Sequence, residues 1–413
     1  MSSAETRADV LIVGGGQAGA QTALSLRAEG FEGSITILDA GQQLPYERPP
    51  LTKAYMRGER DAADLQFRAP EYWEQHHITV VLNQAIESID PAARTATAAS
   101  GVVYEFGTLV WAAGGHARRL PFTEGIEGVL SVRVLEDADL LKSRLGQLRD
   151  VVVIGGGFIG LEAASVLRDS GARLTILEAM DRLLARVTSP PVSDYFAQLH
   201  RSHGADVRLD AVVEAIEQQD GKVSGVRLAG GEVISADAVL VGIGLVPNVQ
   251  PLVDAGATVS NGVEVDAQGR TSLDGIFAVG DCANRVSDFS RGTRVRLESV
   301  PSAVESGKRV ADAIMGRPPR EESVPWFWSH QFDVKLQTAG LFNGYDDLVV
   351  RGEPGSGKFS VVYLCQGVVI AVDTVNNVRD FAQGKALVTA KAAVDRERLL
   401  DKDLSLKELI PTS

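Results

Sequence analysis

The chain has 413 residues, 45% hydrophobic and 23% charged, a balance that excludes a disordered or fibrous protein and leaves room for two or three domains. Its 54 acidic against 41 basic residues give a net charge of −13, which argues against a general nucleic-acid or anionic-membrane binder, since both need clustered positive charge. No apolar run reaches the roughly 18 residues of a membrane span, and two cysteines supply neither the four ligands an iron–sulfur cluster usually takes nor a C-x-x-C redox pair.

The amino terminus, residues 1–9, is short and polar and carries no signal-peptide pattern, so a cytoplasmic protein is expected. Residues 10–13 form an apolar run of the kind found in buried parallel strands. The turn Gly14-Gly15-Gly16-Gln17-Ala18-Gly19 follows, then helix formers at 20–28 and a second β-rich run at 34–39. A strand is expected at 109–112. The same unit then recurs, with a strand at 151–154, the turn Gly155-Gly156-Gly157-Phe158-Ile159-Gly160, a helix at 161–169 and a strand at 174–178. Further strands are expected at 238–241 and 275–279. Beyond Pro325 the character changes. Residues 359–364 and 368–372 read as antiparallel strands joined by Cys365-Gln366-Gly367, and 381–394 read as a helix.

A helix amino terminus stabilises a diphosphate because its free N–H groups and its dipole point outward. Close approach of the backbone then excludes side chains at fixed positions. Gly14 supplies the tight turn, Gly16 the close approach and Gly19 the contact between helix and strand. Asp39, at the end of the second strand, stands where a carboxylate accepts hydrogen bonds from a ribose. Gly155, Gly157, Gly160 and Glu178 repeat the pattern, so two dinucleotide sites are expected. Glu178 would repel a 2′-phosphate, and no arginine follows until Arg182, which favours NADH over NADPH.

These turns resemble the two-dinucleotide-binding flavoproteins, and further motifs resemble their ferredoxin-reductase branch, the putidaredoxin reductase-like enzymes serving bacterial cytochrome P450 and Rieske-type oxygenases. Pro45-Tyr46-Glu47-Arg48-Pro49-Pro50-Leu51-Thr52-Lys53 is similar to the branch's Arg-Pro-Pro-Leu-Ser-Lys segment, with Thr52 for serine. Residues 109–115 resemble its Ala-Thr-Gly segment, with Ala113 for threonine before Gly114. Arg119-Leu120-Pro121, Gly280-Asp281 and Trp326-Phe327-Trp328-Ser329 match as well. The resemblance covers essentially the whole chain. It implies an α/β fold with two Rossmann-like domains, for FAD (1–115 and 245–325) and NADH (116–244), plus a small C-terminal α+β domain (326–413). It places Gly14, Gly16, Ala18, Gly19, Asp39, Arg48, Lys53, Ala113, Gly114, Arg119, Gly280, Asp281, Val300 and Trp328 at FAD. Gly155, Gly157, Ile159, Gly160, Glu178 and Gly244 are placed at NADH.

The implied catalytic residues are Lys53 and Glu162, a charge pair beside the flavin, although Glu162 also suits the positive end of a helix dipole. The implied reaction is hydride transfer from NADH to FAD, then single-electron delivery to a [2Fe–2S] ferredoxin. A monomer or weak dimer is expected, with no nucleic acid, membrane or metal. Because ferredoxins are typically acidic, docking needs a local basic patch, for which Arg291, Arg294, Arg296, Lys308 and Arg309 are candidates. The alternatives are a rubredoxin- or nitrite-reductase-linked NADH reductase and an apoptosis-inducing-factor-like redox-signalling flavoprotein. Gly352-Glu353-Pro354-Gly355-Ser356-Gly357-Lys358 fits the phosphate-loop pattern, but Phe359 replaces the Ser/Thr and a strand follows, so a hairpin loop is expected. Cys282 reads as a small buried residue, and His76, His77, His200 and His203 as surface residues.

Overall fold

Residues 10–13 are apolar without interruption, and the strand they belong to, Arg7–Val13, is buried on both faces over that stretch. The computed structural model describes residues 6–410. Residues 1–5, the start of the amino-terminal segment read above, lie outside them. Contacts divide the chain into one unit of Met1–Glu47, Ala63–His116 and Val246–Pro325, and another of Arg48–Ala62, Ala117–Leu245 and Trp326–Ser413.

In the first unit Arg7–Val13 pairs in parallel with Ile35–Leu38 and with Val103–Trp111. Ile78–Val81 extends the sheet on one side, and Ile276–Ala278 pairs in parallel with residues 109–111 on the other. Successive side chains point to opposite faces. Val10, Ile12, Ile35 and Ile37 therefore pack with Ala23 and Leu26 of helix Gln17–Ala28 and with Val310 of helix Val300–Ile314. Leu11, Val13, Leu38 and Leu109 fill a separate cluster on the other face. Each such side chain, fully buried, is worth roughly 1.5–3 kcal/mol. A slip of one residue would exchange the two clusters, so the register is fixed.

The second unit repeats this logic. Its parallel sheet runs Asp206–Arg208, Arg173–Leu177, Asp150–Ile154, Ala238–Val241, Val129–Leu130, and helix Phe158–Asp169 follows the glycine turn. After Pro325 the chain forms a five-stranded antiparallel sheet of its own, in the order Trp326–Gln331, Val334–Gly340, Val368–Val375, Lys358–Cys365, Asp347–Glu353. The phosphate-loop look-alike is the turn between the last two of these strands.

The helix expected after the last strand differs from the sequence reading at both ends. The helix expected at 381–394 is Val378–Thr389. Lys391 takes a positive φ of 45°, and the chain then pairs with a neighbouring strand: Val369 N donates to Ala392 O at 2.9 Å and Val394 N to Gly367 O at 3.0 Å. Strand pairing there satisfies backbone groups that a longer helix would leave without partners.

Candidate active site

Helix Gln17–Ala28 begins at Gly16, whose backbone is extended and which offers no side chain to cap the first amides. The turn before it is tight. A Cβ on Gly14, where φ is +108°, would lie 2.3 Å from the Ala112 carbonyl oxygen, and one on Gly19 would lie 1.9 Å from the Gly14 oxygen. A Cβ on Gly16 meets nothing within 4 Å. That is the open side, where a diphosphate would rest against backbone N–H groups. Asp39 accepts from Gly15 N at 2.5 Å through one oxygen and from Gly41 N at 2.7 Å through the other. An ionised carboxylate has about four acceptor sites, so ribose hydroxyls still find lone pairs there.

The neighbouring segments close on this turn. A Cβ on Gly280 would come within 2.8 Å of the Ala18 Cβ. Gly280 N donates to Ser306 Oγ at 3.1 Å, and Ser306 lies in the helix that Val300 opens. Asn248 braces the 112–114 segment: its Nδ2 donates to Ala113 O at 3.0 Å and its backbone N to Gly114 O at 2.9 Å. The first unit thus gathers Gly14, Gly16, Ala18, Gly19, Asp39, Ala113, Gly114, Gly280, Asp281 and Val300. Backbone N–H groups, a bare glycine face and an anchored acid fit the FAD diphosphate and its ribose.

The second turn has the same construction. Helix Phe158–Asp169 starts at an extended Gly157 with no side-chain cap. A Cβ on Gly160 would sit 2.3 Å from Gly155 O, whereas one on Gly157 has only Gly242 O, at 4.0 Å. Glu178 accepts from Gly156 N at 2.7 Å and Met180 N at 2.8 Å. Ile159 is exposed at the helix start, and Gly244 has open space at its Cβ position. These residues fit a pyridine nucleotide. Arg182 is turned to other work, donating to Thr188 O, Ser193 Oγ and Ala185 O.

In the same unit Lys53 and Glu162 are brought together. Lys53 Nζ stands 2.5 Å from Glu162 Oε2, with 16% and 2% of the two side chains exposed. Thr52 Oγ1 donates to the same oxygen at 2.7 Å, and Ser329 Oγ donates to Oε1 at 2.7 Å. Burying a carboxylate this deeply is costly unless donors and an opposite charge compensate for lost water, and two segments supply them, the one carrying Thr52 and Lys53 and the strand carrying Ser329. Thr52, where the resembling segment has serine, makes this contact through the hydroxyl that both residue types carry. Gln331 Nε2 lies 3.3 Å from Ser329 Oγ, and His200 Nε2 lies 2.9 Å from Gln331 Oε1. The partnership of Thr52, Ser329, Gln331 and His200 is not in the sequence reading. Trp328 is half-buried, its ring centroid 5.3 Å from that of Trp326. Arg48 and Arg119 belong to this unit too, Arg119 exposed.

Two sequence readings are corrected. His200 is buried, not a surface residue. It lies on the apolar stripe of helix Pro190–Ser202 with Val192 and Phe196. Arg309 is also buried, so it cannot share an exposed docking patch with Lys308. Within that patch Arg294 pairs with Glu264 at 3.1 Å, Arg296 with Glu298 at 2.6 Å and Lys308 with Glu305 at 3.7 Å, so much of the positive charge is compensated locally. Cys282 is buried as expected, and burial pushes its thiol up to about 12. Among the described residues no group of three or more His, Cys, Asp or Glu side chains is placed to hold a metal ion. None of their helices is long and apolar enough to cross a membrane.

Comparison with known proteins agrees over nearly the full length. Residues 8–307 match the family model described as pyridine nucleotide-disulphide oxidoreductase, and residues 326–410 match the reductase C-terminal model. The chain is 47% identical over 403 residues to the 5,5'-dehydrodivanillate O-demethylase ferredoxin reductase subunit of a Sphingobium species, covering 97% of this chain and 98% of that one. It is 46% identical to a ferredoxin–NAD(P)(+) reductase of a Sphingomonas species, covering 99% of each. Among solved structures, the covalent putidaredoxin reductase–putidaredoxin complex matches with a TM-score of 0.94 at 38% identity, covering 97% of both chains.

Proposed function

The chain belongs to the pyridine nucleotide-disulphide oxidoreductase family, and on that premise we propose that it is an NADH-dependent ferredoxin reductase supplying an oxygenase. Bound FAD supplies the central chemistry, taking up two electrons with a hydride and releasing them singly. The chain's residues bind, orient and insulate. The glycine turn at 14–19 holds the FAD diphosphate and Asp39 its ribose, while the turn at 155–160 and Glu178 do the same for NADH. Lys53 and Glu162 hold opposite charges at the reacting rings, and Trp328 excludes water there. The reading favours NADH over NADPH because Glu178, anchored by Gly156 N and Met180 N, would meet the ribose with a negative charge, and Arg182 is bound to the Thr188 and Ala185 carbonyls and the Ser193 hydroxyl.

The observation that carries the acceptor is the cysteine chemistry. A disulfide reductase needs a redox pair, yet this chain has two cysteines, neither in a C-x-x-C motif, and burial holds the thiol of Cys282 protonated. Electrons must leave the chain. The Sphingobium and Sphingomonas relatives are named as ferredoxin reductases, which supports a ferredoxin as the acceptor; we take it to be a [2Fe–2S] protein feeding a cytochrome P450 or Rieske-type oxygenase in the cytoplasm. The separate sheet after Pro325 supports counting 326–413 as a third domain beside those for FAD and NADH.

Anaerobic titration tests the reading. NADH should bleach the bound FAD at near-stoichiometric amounts, with NADPH at least tenfold less effective in initial rate. Steady-state turnover should respond to a [2Fe–2S] ferredoxin more than to rubredoxin. Fast ferricyanide reduction with no response to any [2Fe–2S] protein would sink the proposal.

A further inference from the structure

Glu162 is 1% exposed, and so is Ser329; Gln331 and His200 show no exposed surface at all. These residues come from helix Phe158–Asp169, strand Trp326–Gln331 and helix Pro190–Ser202, and they form one chain of hydrogen bonds with a single direction. His200 Nε2 donates to Gln331 Oε1 at 2.9 Å, Gln331 Nε2 to Ser329 Oγ at 3.3 Å, and Ser329 Oγ to Glu162 Oε1 at 2.7 Å. The direction follows from the ends. A carboxylate only accepts, so the serine hydrogen points at Glu162 and its lone pair faces the Gln331 amide. The amide oxygen then faces His200, whose Nε2 must carry the proton. Burial keeps that ring neutral, its pKa pushed down to about 4, as such a tautomer requires.

We propose that Ser329 is a positioning residue for hydride delivery, its hydroxyl fixing the Glu162 carboxylate and through it the Lys53 ammonium, with Gln331 and His200 holding the hydroxyl in turn. The proposal rests on the reading that the Lys53–Glu162 pair serves the flavin. Glu162 Oε2 takes both Lys53 and Thr52, so Ser329 alone sets the other oxygen and hence the plane of the carboxylate. Stability does not require this arrangement, because apolar residues of similar volume commonly replace buried ion pairs at little or no loss. Strand alternation adds a reason for placing it here. Ser329 faces Glu162 and its neighbour Trp328 faces the other way, so one strand presents both the aromatic and the hydroxyl.

The test uses the FAD-loaded full chain, with Ser329→Ala, Ser329→Thr and Glu162→Gln. Ser329→Ala should slow anaerobic bleaching by NADH about tenfold at saturation, leave half-saturation within twofold, and lower the flavin midpoint potential measured with reference dyes and no NADH. Ser329→Thr should restore the rate to within threefold of the parent. Bleaching of Ser329→Ala at the parent rate overturns the proposal, as does an unmoved potential or a threonine variant as slow as the alanine one. Loss of FAD or of folding in Ser329→Ala also overturns it, since the hydroxyl would then be structural. If Glu162→Gln bleaches at the parent rate, the reading of the charge pair itself fails. A slow Glu162→Gln beside a normal Ser329→Ala removes only the role of Ser329.

Discussion

A methyl group added to Gly157 and one added to Gly160 would act in opposite ways, although both residues line one turn. At Gly157 the nearest atom to a new Cβ is 4.0 Å away, whereas at Gly160 it is the Gly155 carbonyl oxygen at 2.3 Å. Gly157→Ala should therefore fold with a melting temperature within about 2 °C of the parent, yet raise the NADH Michaelis constant at least tenfold by displacing the diphosphate. Gly160→Ala should instead lose roughly 1–3 kcal/mol of stability, the usual cost of overpacking. Urea unfolding and steady-state kinetics on both variants read this out, and an unchanged Michaelis constant in Gly157→Ala would count against a diphosphate on that face. The glycine spacing was legible because backbone sterics act locally. Ser329 and Gln331 were not, because their partners lie far away in sequence. A weak signal existed for His200, since the helical period that buries Val192 and Phe196 reaches it too.

Elements were legible in proportion to how much local chemistry specifies them. The apolar runs at 10–13, 151–154 and 238–241 are strands buried on both faces, as unbroken hydrophobicity implies. The helix from Val378 stopped short of its expected end because pairing with a distant strand decided it, and residue spacing does not report such pairing. The Gly352-to-Lys358 stretch shows the value of context over pattern. Strands Asp347–Glu353 and Lys358–Cys365 pair antiparallel on either side of it, and no helix opens after Lys358 to present amides to a phosphate. Lys358 is exposed at the strand's start. Lys358→Ala should leave NADH turnover within experimental scatter and shift the melting temperature by less than about 1 °C. Millimolar ATP should not stabilise the parent, and a melting rise of several degrees with ATP that the variant loses would restore the phosphate-loop reading.

At the scale of the whole molecule, two buried groups act on the dependence of stability on pH with opposite sign, beside others such as His330, which burial also pushes down. Burial pushes His200 down to about 4, and its bond with Gln331 opposes this only in part. Burial also pushes Asp373 up to about 6, against hydrogen bonds from Thr188 and from Tyr363 OH at 2.5 Å. As pH falls from about 6.5 to 4, the unfolded chain takes a proton at His200 that the folded chain refuses, which removes roughly 3 kcal/mol of stability. Over nearly the same window, from about 6 to 4, the folded chain takes a proton at Asp373 that the unfolded chain does not, which adds roughly 3 kcal/mol. The two slopes nearly cancel. Relative to the parent's own change between pH 7 and 4.5, His200→Gln should therefore gain roughly 2 kcal/mol and Asp373→Asn should lose roughly 2 kcal/mol. Urea midpoints at pH 7 and 4.5 measure both. Parallel pH profiles in the parent and the two variants would show that neither group titrates inside the fold as its burial demands.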